Sequence, residues 1–224
     1  MATVVTIDGP TSSGKGTISR GVAARLRWHL LDSGALYRLV ALSGRQQQLD
    51  PDDVAGHTRA AQTLDATFGA VQHDEKVWLA GQDVTAEIRT AEAGMGASRV
   101  AAWPEVRNAL LVRQRRFARE PGLVADGRDM GTVVFPGAPL KVFLTASAEE
   151  RARRRYKQLK DKGSGVSLAA LSREIAERDL KDSTRAVAPL RPAPDAHVID
   201  STALSIEDVV EQVLALGRSR SLWS

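Results

Sequence analysis

Cysteine is absent from the 224 residues. That removes disulfide staples and thiolate metal sites, and it is compatible with a reducing compartment. Aromatic residues are scarce, at 4% of the chain, too few for a row of platforms that would stack single-stranded bases. No apolar run approaches the roughly 20 residues that span a bilayer. The opening residues Met1-Ala2-Thr3-Val4-Val5 lack the basic stretch and long apolar segment of a secretory leader, so the expected location is the cytoplasm. What is present is ordinary globular material, 43% hydrophobic and 26% charged. The length is about one and a half times a typical domain and sufficient to bury a core, so one α/β domain with insertions is expected. A net charge of +4 and a pI near 9.7 favour anionic partners, nucleotides and nucleic acids alike.

The hydrophobic pattern alternates between short β-branched runs and helical spacing. Val4 to Ile7 reads as a buried parallel strand ended by Asp8-Gly9. Helical spacing follows over Lys15 to Arg27, a short strand over His29 to Leu31, and a helix over Ala35 to Gln47. Residues 62–90 differ. Short runs at Leu64 to Val71, Lys76 to Leu79 and Asp83-Val84 are broken by Gly69, His73-Asp74 and Gly81-Gln82, a pattern for a small inserted antiparallel sheet. Pro104 opens a helix to about Arg119. Strands are predicted at Leu123 to Ala125, Lys141 to Leu144 and Ala196 to Ile199. Ser147 with Glu150 reads as a capping box for a helix to about Lys160. The Asp161 to Ser167 loop precedes a helix to about Leu180, and Ser205 with Asp208 starts the last helix. Strands alternating with helices imply a parallel sheet covered on both faces.

Gly9-Pro10-Thr11-Ser12-Ser13-Gly14-Lys15-Gly16-Thr17 lies between the first strand and the first helix. Its spacing is the Walker A pattern: a glycine-rich curl turns backbone N–H groups toward phosphate oxygens, and the lysine brings a point charge to the β/γ-phosphates. Gly16 stands where Ser or Thr is usual, with Thr17 one place later, an ending typical of nucleoside monophosphate kinases. The loop by itself establishes nucleotide binding and not a reaction.

A second constellation, Asp126-Gly127-Arg128-Asp129-Met130-Gly131-Thr132, sits at the carboxyl end of a predicted strand, where α/β sheets bind ligands. Asp126 can orient water on a Mg²⁺ ion, Arg128 can hold a phosphate, and Asp129 can accept a hydrogen bond from a base. The competing reading is a loop of solvated charge. Asp32-Ser33-Gly34-Ala35-Leu36-Tyr37-Arg38 also follows a strand. Ser33 is an N-cap candidate, and Arg38 is either an anion ligand or a surface residue. The basic run Arg151, Arg153, Arg154, Arg155, Lys157, Lys160 and Lys162 reads as a solvated face, a nucleic-acid patch or a lid whose arginines close over phosphates. Arg178 and Asp182 share a helix face at i, i+4, so a plain intrahelical ion pair competes with a ligand role.

These motifs, with Trp28-His29-Leu30-Leu31-Asp32-Ser33-Gly34, Glu177-Arg178-Asp179 and Arg185-Ala186-Val187-Ala188-Pro189-Leu190, give the chain a resemblance to the bacterial cytidylate kinases over nearly its whole length. The resemblance implies a P-loop fold with a five-stranded parallel core, an acceptor region and a short lid. The corresponding boundaries are a core at about 1–60, 104–150 and 190–217, an insert at about 61–103 and a lid at about 151–189. It implies ATP and Mg²⁺ as cofactors, with Gly9 to Thr17 on the ATP phosphates and Thr17 and Asp126 toward the metal. Ser33, Arg38 and Arg128, with Tyr37 beside them, resemble acceptor-phosphate ligands. Ser98, Arg107, Asp129 and Arg185 resemble cytosine contacts, and Arg178 and Asp182 resemble ribose contacts. Lys15, Arg38, Arg128 and Arg178 are the expected catalytic cations. CMP and dCMP are the implied acceptors, with no nucleic-acid or membrane partner and a monomeric chain.

Cytosine presents an N4 amino donor and acceptors at N3 and O2, which a carboxylate and arginines match. Uracil reverses two of these positions, and unpaired buried polar groups reject such an analogue by up to about 10⁴-fold. Two alternatives stay open on the residues alone: a P-loop kinase for another acceptor such as UMP or shikimate, and a nucleic-acid-dependent ATPase that uses the basic helix.

Overall fold

Helices cover both faces of the main sheet because its strands carry apolar side chains on both sides. A computed structural model describes residues 2–69, 76–161 and 165–223. In chain order, β1 is Thr3–Asp8, α1 Lys15–Leu26, β2 His29–Asp32, α2 Ser33–Gln46 and α3 Val54–Gln62. Then come β3 Ala66–Phe68, β4 Val77–Leu79, β5 Gln82–Asp83, a 3₁₀ turn at Glu87–Arg89, α4 Ala91–Val100 and α5 Pro104–Arg115. The last part holds β6 Gly122–Gly127, a π-type turn Met130–Val134, β7 Leu140–Thr145, α6 Ala148–Lys160, α7 Leu168–Thr184, β8 His197–Asp200 and α8 Ile206–Ser219.

The strands form a five-stranded parallel sheet in the order β2-β6-β1-β7-β8. Successive residues of β1 and β6 feed opposite cores, as the strand period requires. Val4, Leu123 and Ala125 pack with Leu36, Leu39, Val40 and Leu110 on one side. Val5, Ile7 and Val124 pack with Ile18, Val22, Val209 and Val213 on the other. The predicted insert is a separate antiparallel sheet, β3-β4-β5. Its first strand is shorter than the Leu64 to Val71 run, and the His73-Asp74 break lies outside the described residues.

Several local expectations are corrected. Helices α3 and α4 were not foreseen. α3 has little apolar periodicity and starts on an Asp53 cap whose side chain accepts from Gly56 N. α4 contains Gly94 and Gly96, which lower helix propensity; its Thr90 cap and packing on α2 outweigh that cost. α5 ends at Arg115, short of Arg119, and α7 continues past Leu180 to Thr184. Ser33 is not the N-cap of α2. Asp32 is, with Oδ1 accepting from Ala35 N at 3.0 Å. The Ser147–Glu150 box is half formed: Ser147 Oγ accepts from Glu150 N, and the Glu150 carboxylate turns to Arg154 at 2.9 Å instead.

Candidate active site

The carboxyl ends of β1, β2 and β6 deliver Asp8-Gly9, Asp32-Ser33 and Asp126-Gly127 to one edge of the sheet. A cleft of about 720 Å³ opens there. The first wall is the glycine loop. A Cβ on Gly9 would stand 2.1 Å from the Leu144 carbonyl oxygen, so only glycine lets the loop leave β1 beside β7. Ser12 and Gly14 are left-handed, with φ of 58° and 92°, and turn the chain back into α1. Thr11 to Thr17 line the cleft. Gly9 and Pro10 lie behind it, where the Pro10 carbonyl accepts from Lys15 Nζ at 3.0 Å.

Lys15 and Asp126 are both buried here. Burial, reinforced by Arg128, pulls the Lys15 ammonium well below its ordinary value, and the Asp126 charge opposes that shift. Burial pushes the Asp126 carboxyl well above the usual range, and Lys15 opposes that in turn. Asp126 Oδ1 has no hydrogen-bond partner, and neither does the buried Ser13 Oγ. Orphaned buried polar atoms are costly, so an orphan facing a cleft marks where a ligand atom belongs.

The opposite wall carries guanidinium groups. Arg38 on α2 donates to Ile88 O at 2.6 Å. Arg128, after β6, donates from Nε to Asp182 at 2.9 Å, so Asp182 pairs across elements and not with Arg178. Burial works against the Asp182 carboxylate, and Arg128, Arg178 and Arg185 outweigh it to hold its pKa below the usual range. Arg178 is pushed down to about 10 by burial and by Arg128, and its Nε is buried without a partner. Arg38 and Arg178 converge beside Gly94 of α4. Ser33 is buried against Gly127, where any Cβ would sit 2.6 Å from its Oγ.

Deeper in the same cleft, Asp129 and Arg107 form a buried ion pair. Arg107 also donates to Ala101 O at 3.1 Å and lies 5.7 Å over the Tyr37 ring. Arg185 donates to Ala188 O at 2.5 Å and leaves a buried Nη2 unpartnered. Ser98 on α4 faces this group. Every residue that the sequence nominated for the acceptor therefore lines one cavity with the phosphate loop.

The basic helix α6 divides. Arg154 and Arg155 line the cleft, with Arg154 donating to Ser13 O at 3.1 Å and Ser201 Oγ at 3.0 Å. Arg151 is buried beneath the loop and bonds Ala146 O, Thr11 O and Asp179. Arg153 is exposed and paired with Glu149, and Lys162 lies outside the described residues. Sequence reasoning missed a further stretch of the lining, Ser201, Leu204, Ser205, Ile206 and Val209 between β8 and α8. These are ordinary residue types at no diagnostic spacing, and only the fold brings them beside the loop.

Nine basic and six acidic side chains line the cleft, a surplus that suits polyphosphate. A phosphate loop at the edge of a parallel sheet, facing a cluster of arginines across one cleft, fits a phosphoryl-transferring P-loop kinase. The description of the cytidylate kinase family matches residues 5–219. The chain is 57% identical over 221 residues to a cytidylate kinase of Stutzerimonas stutzeri, covering 98% of this chain and 96% of that one. It is 56% identical over 215 residues to one from Aeromonas hydrophila, covering 96% and 94%. The chain belongs to the cytidylate kinase family. No helix among the described residues is long and apolar enough to cross a membrane.

Proposed function

We propose that the chain transfers the γ-phosphoryl group of ATP to CMP, and also to dCMP, giving ADP and the pyrimidine diphosphate. The observation that carries this reading is the buried Asp129–Arg107 pair, set in the same cleft as the glycine loop, with the orphaned Arg185 Nη2 beside it. A carboxylate that accepts from N4 and guanidinium groups that donate to N3 and O2 match cytosine and oppose uracil.

The attacking phosphate oxygen is already anionic, so no strong general base and no protein nucleophile is required. The chemistry is positioning and charge. Lys15 holds the β/γ-phosphates of ATP. Arg38, Arg128 and Arg178, with Ser33, hold the acceptor phosphate in line, and Arg178 and Asp182 flank its ribose. Residues 151–189, which bring Arg154 and Arg155 to the cleft, act as a lid, and 61–103 are the acceptor-region insert.

A Mg²⁺ ion fits this donor set. Asp126 Oδ1 is buried and unpaired, and the described residues contain no cluster of three or more His, Asp or Glu ligands. Such a site suits a hard cation that takes one or two protein ligands and completes its shell with phosphate and water. Thr17 and Asp126 would hold it, Asp126 through water, and it would neutralise charge on the phosphates. In this reading the enzyme works as a monomer in the cytoplasm.

The test is ADP release with MgATP against CMP, dCMP, UMP and AMP. CMP is expected to give the highest kcat/KM, with dCMP within about tenfold and UMP at least about 100-fold lower. Folded protein that phosphorylates no pyrimidine monophosphate overturns the proposal.

A further inference from the structure

Asp8 is the last residue of β1 and is covalently joined to Gly9 of the phosphate loop. Its carboxylate is buried and reaches the segment that follows β6. Oδ1 accepts from Met130 N at 2.8 Å, and Oδ2 accepts from Gly131 N at 2.8 Å. These two amides open the Met130–Val134 turn. That turn's own bonds run from Val133 and Val134 N to Asp129 O, at 2.9 and 3.2 Å, and from Phe135 N to Met130 O at 2.7 Å. The amides of Met130 and Gly131 thus have no partner inside the turn, as at any helix start. Asp8 supplies the cap from 122 residues away.

The grip has a geometric consequence. Met130 N shares a rigid peptide plane with the Asp129 carbonyl. Holding that N–H fixes ψ of Asp129, observed at 25° with φ of −145°, and so the direction in which the Asp129 side chain leaves the backbone. A carboxylate suits the task because its two oxygens accept two adjacent N–H groups at once, whereas an amide offers a single acceptor oxygen. The fold accepts a substantial cost for this. Burial, with the nearby charges of Asp129 and Asp126, pushes the Asp8 carboxyl up to about 7 against the pull of the two backbone bonds.

We infer that Asp8 is a positioning residue for base recognition: through the amides of Met130 and Gly131 it orients Asp129 toward the acceptor's base, and it ties that orientation to the strand that carries the phosphate loop. The inference rests on the assignment of Asp129 to the acceptor base. It goes beyond that assignment by giving a residue on the ATP side of the sheet control over acceptor choice.

The experiment measures kcat/KM for CMP and for UMP, and the Kd of a non-hydrolysable ATP analogue, in the wild type, Asp8→Asn, Asp8→Glu and Asp129→Ala. Asp8→Asn keeps the shape and loses one of the two acceptors. Asp8→Glu keeps the charge and displaces both oxygens by a methylene, and it is read in the same way should the amide variant not fold. A displacement of ~1 Å at a reading group is enough to cost on the order of 100-fold. The expected result is a fall in the CMP to UMP ratio of about tenfold or more in both Asp8→Asn and Asp8→Glu. The ATP-analogue Kd should stay within about twofold of the wild type. A residue that only stabilised the fold would lower the melting temperature and leave the ratio alone in the folded fraction. A ratio held within twofold in either folded Asp8 variant, while Asp129→Ala collapses it, overturns the inference by itself. A ratio unchanged in Asp129→Ala overturns the base-site assignment, and the inference with it.

Discussion

Replacing Asp129 with asparagine separates the ion pair that its carboxylate makes with Arg107 from the base reading proposed for it. Its side chain is 4% exposed, and that of its partner Arg107 is 8% exposed. Removing one member of a buried ion pair costs ~3–5 kcal/mol when the other is left with nothing. Arg107 is not left with nothing, since it keeps Ala101 O at 3.1 Å and the face of Tyr37, and the asparagine oxygen still accepts. The loss should therefore fall to about 2 kcal/mol, which for a chain of this size is a drop of roughly 4–8 °C in melting temperature. The kinetic effect is separate. A hydrogen bond to a charged group is worth ~1.5–3 kcal/mol, so losing the carboxylate at N4 should lower kcat/KM for CMP by about 10- to 150-fold. Uracil turns an acceptor oxygen toward this position, and the asparagine amide can donate to it, so UMP use should hold or rise. Coupled ADP detection with both acceptors, alongside a thermal melt, reads all three quantities. Equal losses for CMP and UMP would refute the reasoning, because they would show that Asp129 supports the site without reading the base.

Three further outcomes follow from the geometry. Lys15→Ala should lower kcat by about 10²–10³-fold with the melting transition preserved, because among the described residues the only side-chain hydrogen bond given up is the one to Pro10 O; near-normal turnover would count against the role proposed for it at the phosphates. Asp8 has a folded-state pKa raised from 3.8 to about 7, so its contribution to stability is complete below about pH 4 and is lost as pH rises through 7. In ligand-free protein, wild-type stability minus that of Asp8→Asn should fall by roughly 1 kcal/mol per pH unit between about pH 4 and 7, measured by urea unfolding, and a flat difference would contradict the burial argument. Ser12→Gly should stabilise the chain by about 0.5 kcal/mol, since a side chain at φ of 58° costs ~1 kcal/mol and the more flexible unfolded state takes back part of the gain; a lower melting temperature in that variant would show that the Ser12 side chain is held by more than the loop's curl.

Much of the site was legible because it is local. The phosphate loop needs a strand, a curl of glycines and a helix within fifteen consecutive residues, and each part has its own short-range signature. The parallel strands announced themselves as β-branched runs because both of their faces are buried. Legibility failed where a competing interaction decided the matter. Asp32 took the cap from Ser33, Glu150 left its box for Arg154, and Asp182 chose Arg128 over the arginine one turn away. Helix α4 formed despite two glycines because its neighbours on α2 supply the stability that its own propensity lacks.

The sequence by itself determined the chemistry available: a loop that can cradle phosphate, carboxylates and arginines at strand ends, and a strand–helix alternation that can only close into a parallel sheet. The tertiary structure alone decided which basic side chains of α6 line the cleft, that Ser201, Leu204, Ser205, Ile206 and Val209 border it beside the phosphate loop, and that Asp8 caps a turn 122 residues away. The division has one physical cause. Backbone conformation is set mainly by neighbours along the chain, whereas the direction of a side chain and the partner it meets depend on packing between segments whose separation in sequence carries no information about their separation in space.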